Sequence, residues 1–347
     1  MSDTLHDPGL FQNTAASHVF HFTYAGEPRL LKGYLAERYR YWLNGEWMER
    51  AYPERVWVNR APAAEEAWVA PGDVISYRHL RDEEPVRPGR PPVLWEDERT
   101  LVLYKPDNVP VSPSGPYYFA SLAIHAREAF GNPELTPIHR LDLETDGPVV
   151  FAKRSADLRH FHELFRRQAI RKTYRALVYG RFPQGLQRIA GRIFPDPASA
   201  IRTKLAFLPD LASESSVTHV SRVVWHGPFS ELELEPRTGK TNQLRVHLAH
   251  LGHPIVGDKK YHADEGVFLQ WIVHKDFGRL RERLLLPRQA LQCHALAFPH
   301  PFTGEPVEVR APEGSWARQI APAVESAFER ESAGAGAETT AAARSGR

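Results

Sequence analysis

Cysteine is nearly absent from this sequence: Cys293 stands alone among 347 residues. A lone thiol excludes an internal disulfide framework and predicts a reducing, cytoplasmic setting. No apolar run reaches membrane-spanning length, and the N-terminus carries no signal-type apolar core, so neither membrane insertion nor secretion is expected. Charge of one sign is missing too. Lys and Arg number 44 against 42 Asp and Glu, a net charge of +2 that says nothing about a nucleic-acid partner. What is present is ordinary for a globular chain: 42% apolar and 25% charged residues. The length exceeds what one compact core usually holds, so two domains are expected.

Local patterns divide the chain. Residues 1–26 show no strong periodicity and read as an irregular lead-in. Residues 27–80 read as a small unit: Leu30, Leu31, Tyr34 and Leu35 have helical spacing, with a second helical piece around Trp42–Arg50. Strand-like Arg55–Arg60 and Ala67–Ala70 follow, and Pro71-Gly72-Asp73 turns the chain into Val74–Tyr77. This order resembles the α-L type RNA-binding module of a ribosomal small-subunit protein. Its second helix, normally basic, carries Glu46 and Glu49, so a degenerate module is expected.

Residues 81–92 combine charge with four Pro and a Gly, which predicts an extended linker with little capacity to pack. Structured chain is expected over 93–313. Its strands are read at Val93–Glu96, Thr100–Tyr104, Pro148–Ala152, Lys172–Gly180, Ser230–Glu235, Ala290–Phe298 and Val307–Ala311. Helices are read at Ala120–Phe130, at Ala156–Ala169 with Ser155 as its cap, and from Thr241 to Leu251 before Gly252 and Pro254. The region Gly266–Arg288 reads as mixed and partly helical. Residues 314–347 form an extension whose small polar tail predicts disorder.

Within this frame Ile138–Gly147 sets a carboxylate beside a cation just before an apolar strand, and reactive groups are commonly held on such loops. The basic character that the whole chain lacks gathers behind it. From Lys153 to Arg181 there are nine Lys or Arg, Arg166 and Arg167 among them, against Asp157 and Glu163 alone. A basic run beside a loop of this kind is a candidate phosphate-binding surface.

Three segments, in order, resemble the RluA-type pseudouridine synthases. They are His139-Arg140-Leu141-Asp142-Leu143-Glu144-Thr145-Asp146-Gly147, then Lys172-Thr173-Tyr174, then Arg237-Thr238-Gly239-Lys240-Thr241-Asn242-Gln243-Leu244-Arg245-Val246-His247. Gly252–Asp258, Lys105-Pro106 and Leu296–Pro301 fit the same pattern, so the resemblance spans 93–312. It implies an α+β catalytic domain with a central, mainly antiparallel sheet flanked by helices. The implied activity is isomerisation of uridine in ribosomal or transfer RNA.

The implied chemistry suits the residue types. Moving uracil from a nitrogen to a carbon linkage needs a carboxylate at the sugar, as nucleophile or as base, and the resemblance assigns this to Asp142. Arg245 is the implied partner that keeps it ionised. Tyr174 offers a face for the uracil and a hydroxyl for proton transfer. The target nucleotide must leave its stack, and Arg140 is the residue implied to fill the space. His139, Lys105, Lys172, Arg237, Lys240, Asn242 and Gln243 join Arg140, Arg166 and Arg167 as the expected RNA-binding set. Because the uracil is reattached, no cofactor or metal is expected; RNA is the expected partner and a monomer the expected state.

Three positions depart from the family pattern. Asp146 stands in place of Ser, Lys240 in place of Arg and Asn242 in place of His. An acid four residues past Asp142 would repel it if the two were close, and Lys cannot bind bidentately as Arg does.

Rival motifs fail on spacing. Gly239-Lys240-Thr241 lacks the earlier Gly of a phosphate-binding loop, Leu234 occupying that position. Asp276-Phe277-Gly278 lies too far from His139-Arg140 for a kinase, and the pairs His160/His162 and His247/His250 lack a third ligand at metal-site spacing. The alternative from another class is a non-catalytic RNA-binding or ribosome-assembly protein that keeps the synthase fold.

Overall fold

The computed structural model describes residues 13–38, 54–64, 66–85, 89–114, 117–274 and 276–313. The chain forms two compact units: Met1–Arg90 with Ser112–Phe130, and Pro91–Val111 with Gly131–Arg347. The polypeptide therefore leaves the second unit after Val111 and returns to it at Gly131.

The first unit opens on β1 (Ser17–Thr23), an edge strand where an irregular lead-in was expected. Its residues pair antiparallel with β6 (Val74–Leu80), which the short strands β3 (Val56–Val58) and β4 (Ala61–Pro62) extend into a four-stranded sheet. Helix α1 (Leu31–Arg38) buries Leu31 and Leu35 against Val56, Val69, Ile75 and Tyr77, and it follows β2 (Arg29–Leu30), which pairs with β5 (Trp68–Val69). The helix read at Trp42–Arg50 and the extension from residue 314 lie outside the described residues.

The stretch 81–92 departs from the linker reading. Arg81–Glu83 form a 3-10 turn and Glu84 is buried. The Glu84 carboxylate accepts the N–H groups of Tyr118, Phe119 and Ala120, just ahead of helix α2 (Leu122–Phe130). A buried carboxylate persists where hydrogen bonds replace its water, and three backbone donors do so here.

The second unit holds two antiparallel sheets. In the smaller, β7 (Val93–Glu96), β8 (Thr100–Lys105) and β10 (Gly147–Ala152) lie side by side, with β9 (Thr136–Pro137) beyond β10. All six residues of β10 are buried, each large apolar side chain contributing roughly 1.5–3 kcal/mol. Helix α3 (Leu158–Arg166) covers this core through Phe161 and Leu164; Ser155 starts a 3-10 turn and caps nothing.

The larger sheet runs β13-β12-β14-β15-β11-β16-β17. Four of its strands, β11 (Arg171–Tyr179), β15 (Phe229–Pro236), β16 (Leu291–Pro299) and β17 (Pro306–Arg310), match expectation within a residue or two. The other three, β12 (Arg188–Pro195), β13 (Leu205–Pro209) and β14 (Ser216–His226), were not expected; polar residues interrupt β12 and β14, and β13 is a short run that buries only Phe207. Helices α4 (Gln243–His250), α5 (Gly266–His274) and α6 (Arg281–Leu284) complete the unit. Among the described residues no helix is long and apolar enough to cross a membrane.

Candidate active site

The loop from β9 to β10 carries Asp142, β11 carries Tyr174 and α4 carries Arg245. These elements meet at one concave opening of about 160 Å³, lined by all three residues together with Arg140, Lys172 and Asn242. The β11–β16 register slips between Thr173 and Tyr174, an irregularity of the kind that re-aims a side chain.

Arg245 is the hub. Its Nη1 donates to Asp142 Oδ2 at 2.9 Å and to Asn242 Oδ1 at 3.1 Å. Its Nε and Nη2 donate to the two oxygens of Asp258 at 2.6 and 2.9 Å, a bidentate pair. The Asp258 side chain is fully buried, whereas Asp142 keeps 29% of its side chain exposed. Burial opposes charge on Arg245, but the Asp258 and Asp142 carboxylates outweigh it and hold the guanidinium well above its ordinary value. Asp142 thus meets a cation whose fork is already occupied. One oxygen is anchored, and Oδ1 accepts no hydrogen bond among the described residues.

Tyr174 is buried, and burial, together with Cys293 and Asp142, pushes its hydroxyl well above the ordinary phenol range. It is therefore a neutral group beside an anion, able to donate a proton or to cover a ring.

The loop around Asp142 is pinned from behind. Lys105, fully buried, donates to the carbonyls of Pro106, Val109 and Leu143 at 2.9, 2.8 and 3.1 Å. Burial pushes its ammonium down to about 7, against the pull of Asp146, Asp107 and Asp142. Lys259 donates to Glu144 at 2.5 Å, and the Gln289 amide donates to Thr145 Oγ1 at 2.7 Å. Asp146 is buried and does not line the opening with Asp142. Its carboxylate accepts from Tyr104 at 2.7 Å and Gln292 at 2.8 Å, with Arg288 at 3.5 Å. Those partners, and not Asp142, surround the extra acid.

Two glycines are required by this packing. Gly147 sits at φ +138°, where a Cβ would come within 2.4 Å of the Cys293 carbonyl oxygen. Gly257, just before Asp258, sits at φ +78°, and its Cβ would reach 2.0 Å from the Arg288 carbonyl oxygen.

The expected RNA-binding set divides. Arg140 and Lys240 are exposed at the rim, and Lys172 and Asn242 line the opening. Lys105 belongs to the core, as above, and is a correction. Gln243 lines the opening, but its amide is saturated by Thr238, the Lys240 N–H, the Val217 carbonyl and Thr218. His139 turns inward and accepts the Val150 N–H at 3.2 Å; burial, then Lys172, pushes its pKa well below the ordinary value. Arg237 is exposed but pairs with Glu235 and does not line the opening. Arg166 and Arg167 lie on and just after α3, both bound to Glu163. Asp258, Lys259, Arg288, Gln289 and Gln292 were missed as site-building residues. The one sequence signal for Asp258 is its place in the stretch Gly252–Asp258.

Comparison with known proteins points the same way. Residues 99–250 match the family described as RNA pseudouridylate synthase. The dual-specificity RNA pseudouridine synthase RluA of Pasteurella multocida is 30% identical over 221 residues, covering 63% of this chain and 92% of that protein. The mitochondrial tRNA pseudouridine(32) synthase of Saccharomyces cerevisiae is 31% identical over 199 residues, and the match spans 42% of its length. Among solved structures, human RNA pseudouridylate synthase domain containing 1 aligns with a TM-score of 0.51 at 25% identity, covering 66% of this chain and 86% of that one.

Proposed function

The chain belongs to the RNA pseudouridine synthases, and from that premise we propose that it isomerises uridine to pseudouridine in ribosomal or transfer RNA. The observation that carries this reading is the Arg245–Asp142 pair at 2.9 Å, set in an opening that Tyr174 also lines.

In the proposed reaction the N1–C1′ bond breaks, the uracil turns, and C5 bonds to C1′. The C5 hydrogen leaves as a proton and N1 gains one, so atoms balance without a cosubstrate. Asp142 acts at the sugar, as nucleophile at C1′ or as base on a ribose proton. A single N–H from Arg245 anchors Oδ2 of its carboxylate and leaves Oδ1 for the reaction. The Tyr174 ring covers the flipped base, and its neutral hydroxyl serves the proton exchange at C5 and N1. Arg140 and Lys240 at the rim hold phosphate. Residues 27–80 are read as a degenerate α-L-like module, on the strength of its helix followed by short antiparallel strands.

The test has two stages. Pseudouridine is mapped chemically in RNA from cells with and without the gene, which identifies the site. Purified wild type and Asp142→Asn are then compared on that RNA. The variant should lose activity by roughly 10²–10⁴-fold or more while RNA affinity holds, because charge is removed and shape is kept. Undiminished isomerisation would remove Asp142 from the reaction.

A further inference from the structure

Asn242 has no role in the reaction as written, yet its amide is oriented with unusual certainty. Arginine can only donate hydrogen bonds, so the Asn242 atom facing Arg245 Nη1 at 3.1 Å must be the carbonyl oxygen. The amide nitrogen is then the group that meets the Tyr261 hydroxyl at 3.3 Å. Tyr261 is itself buried, and its hydroxyl also accepts the Leu205 N–H at 3.2 Å. Arg245 is held in turn by the buried Asp258. The polarity of the Asn242 amide is therefore set by Arg245, and the Tyr261 hydroxyl accepts from the nitrogen that is left.

Each end of that amide has capacity left. One Oδ1 lone pair and one Nδ2 hydrogen have no partner among the described residues, and the side chain lines the opening beside Asp142. Asn242 Oδ1 and Asp142 Oδ2 accept from the same nitrogen, so the amide stands close beside the carboxylate that would act at the sugar. Two neighbouring polar side chains are committed elsewhere: the Gln243 amide is saturated, and the Thr238 hydroxyl serves Gln243 and the Val217 N–H.

We propose that Asn242 reads the imide edge of the target uracil, accepting N3–H on Oδ1 and donating from Nδ2 to an adjacent ring carbonyl. This rests on the uridine-isomerase reading above. Cytosine presents an unprotonated N3 beside an amino group, the inverse pattern, and an amide locked in one orientation rejects it. Asparagine carries both an acceptor and a donor of the kind that a base edge pairs with bidentately.

The test uses two synthetic stem-loops built around the mapped site, one with uridine and one with 3-methyluridine at the target. Conversion is followed by nucleoside chromatography. Wild type should favour uridine by roughly 10- to 100-fold, the range of one bidentate base contact. Asn242→Gly removes the amide and tolerates the left-handed backbone at φ 55°. It should slow uridine conversion and bring the two substrates within a few-fold of each other. If that variant fails to fold, Asn242→His carries the same comparison. A folded variant that slows both substrates equally, leaving their ratio at the wild-type value, overturns the assignment and reduces Asn242 to a support for Arg245. A wild-type chain inert on the uridine stem-loop overturns the isomerase reading itself.

Discussion

Arg245 has three nitrogens, and each is committed. Two go to Asp258, and the third is divided between Asp142 and Asn242. Breaking a buried pair by removing one partner costs about 3–5 kcal/mol, so Asp258 and Arg245 hold each other firmly. Among the described residues the carboxylate at the opening is held by one hydrogen bond. Lys105 shows the same economy of placement from the far side. Its ammonium replaces water for three carbonyls, one of them on Leu143 next to Asp142. Lys105→Met should therefore leave those carbonyls unsatisfied and lower stability by about 2–4 kcal/mol. Denaturant unfolding would detect this as a lower midpoint, and an unchanged midpoint would mean water takes the ammonium's place.

At the scale of elements, the site is a meeting of a loop, a strand and a helix whose positions depend on close backbone approach. Strand β10 enters the core at Gly147, directly against the backbone of β16. Gly147→Ala combines a left-handed backbone with a contact of 2.4 Å to a carbonyl that has no room to move. The expected loss is at least about 2–3 kcal/mol, with activity falling further because the Asp142 loop shifts with the strand. Thermal unfolding and turnover of the variant measured together would check this. Helix α3 presents the opposite situation. Its basic end reads as a phosphate surface in the sequence, and in the fold Arg166 and Arg167 are exposed and both meet Glu163.

At the scale of the molecule, the first unit gathers chain from two places: its N-terminal part and the excursion Ser112–Phe130. Glu84 joins them by accepting three N–H groups from Tyr118, Phe119 and Ala120. Glu84 in turn meets the buried His79 at 2.7 Å, with Glu83 at 3.3 Å on the other ring nitrogen. Burial lowers the His79 pKa, but the two carboxylates outweigh it and hold the imidazolium above its ordinary 6.5. A raised folded-state value stabilises the fold fully below the unfolded pKa, and that contribution is lost as pH rises through the folded value. Wild type should accordingly lose more stability than His79→Gln between pH 5.5 and 8.5, about the shift of one titrating group. Equal pH dependence in unfolding curves of the two proteins would exclude His79 as the source.

Read alone, the chain's contiguous patterns were enough for the three segments that the fold brings to one opening, because Asp142, Tyr174 and Arg245 each sit inside a short motif of local neighbours. Helices α2 and α4 and the apolar strands β8, β10 and β11 were legible for the same reason, since their periodicity is local. Strands β12, β13 and β14 were not, because one face of each is polar or half exposed and the pattern breaks. What a polar side chain serves was decided only by folding. Lys105, Gln243 and His139 have the composition of RNA contacts, and burial turns them to backbone and side-chain partners instead. Asp258 lies 13 residues from Arg245, and Gln292 lies 146 from Asp146. No periodicity relates residues so far apart, so which carboxylate is clamped and which is left open to substrate is a property of the tertiary structure alone.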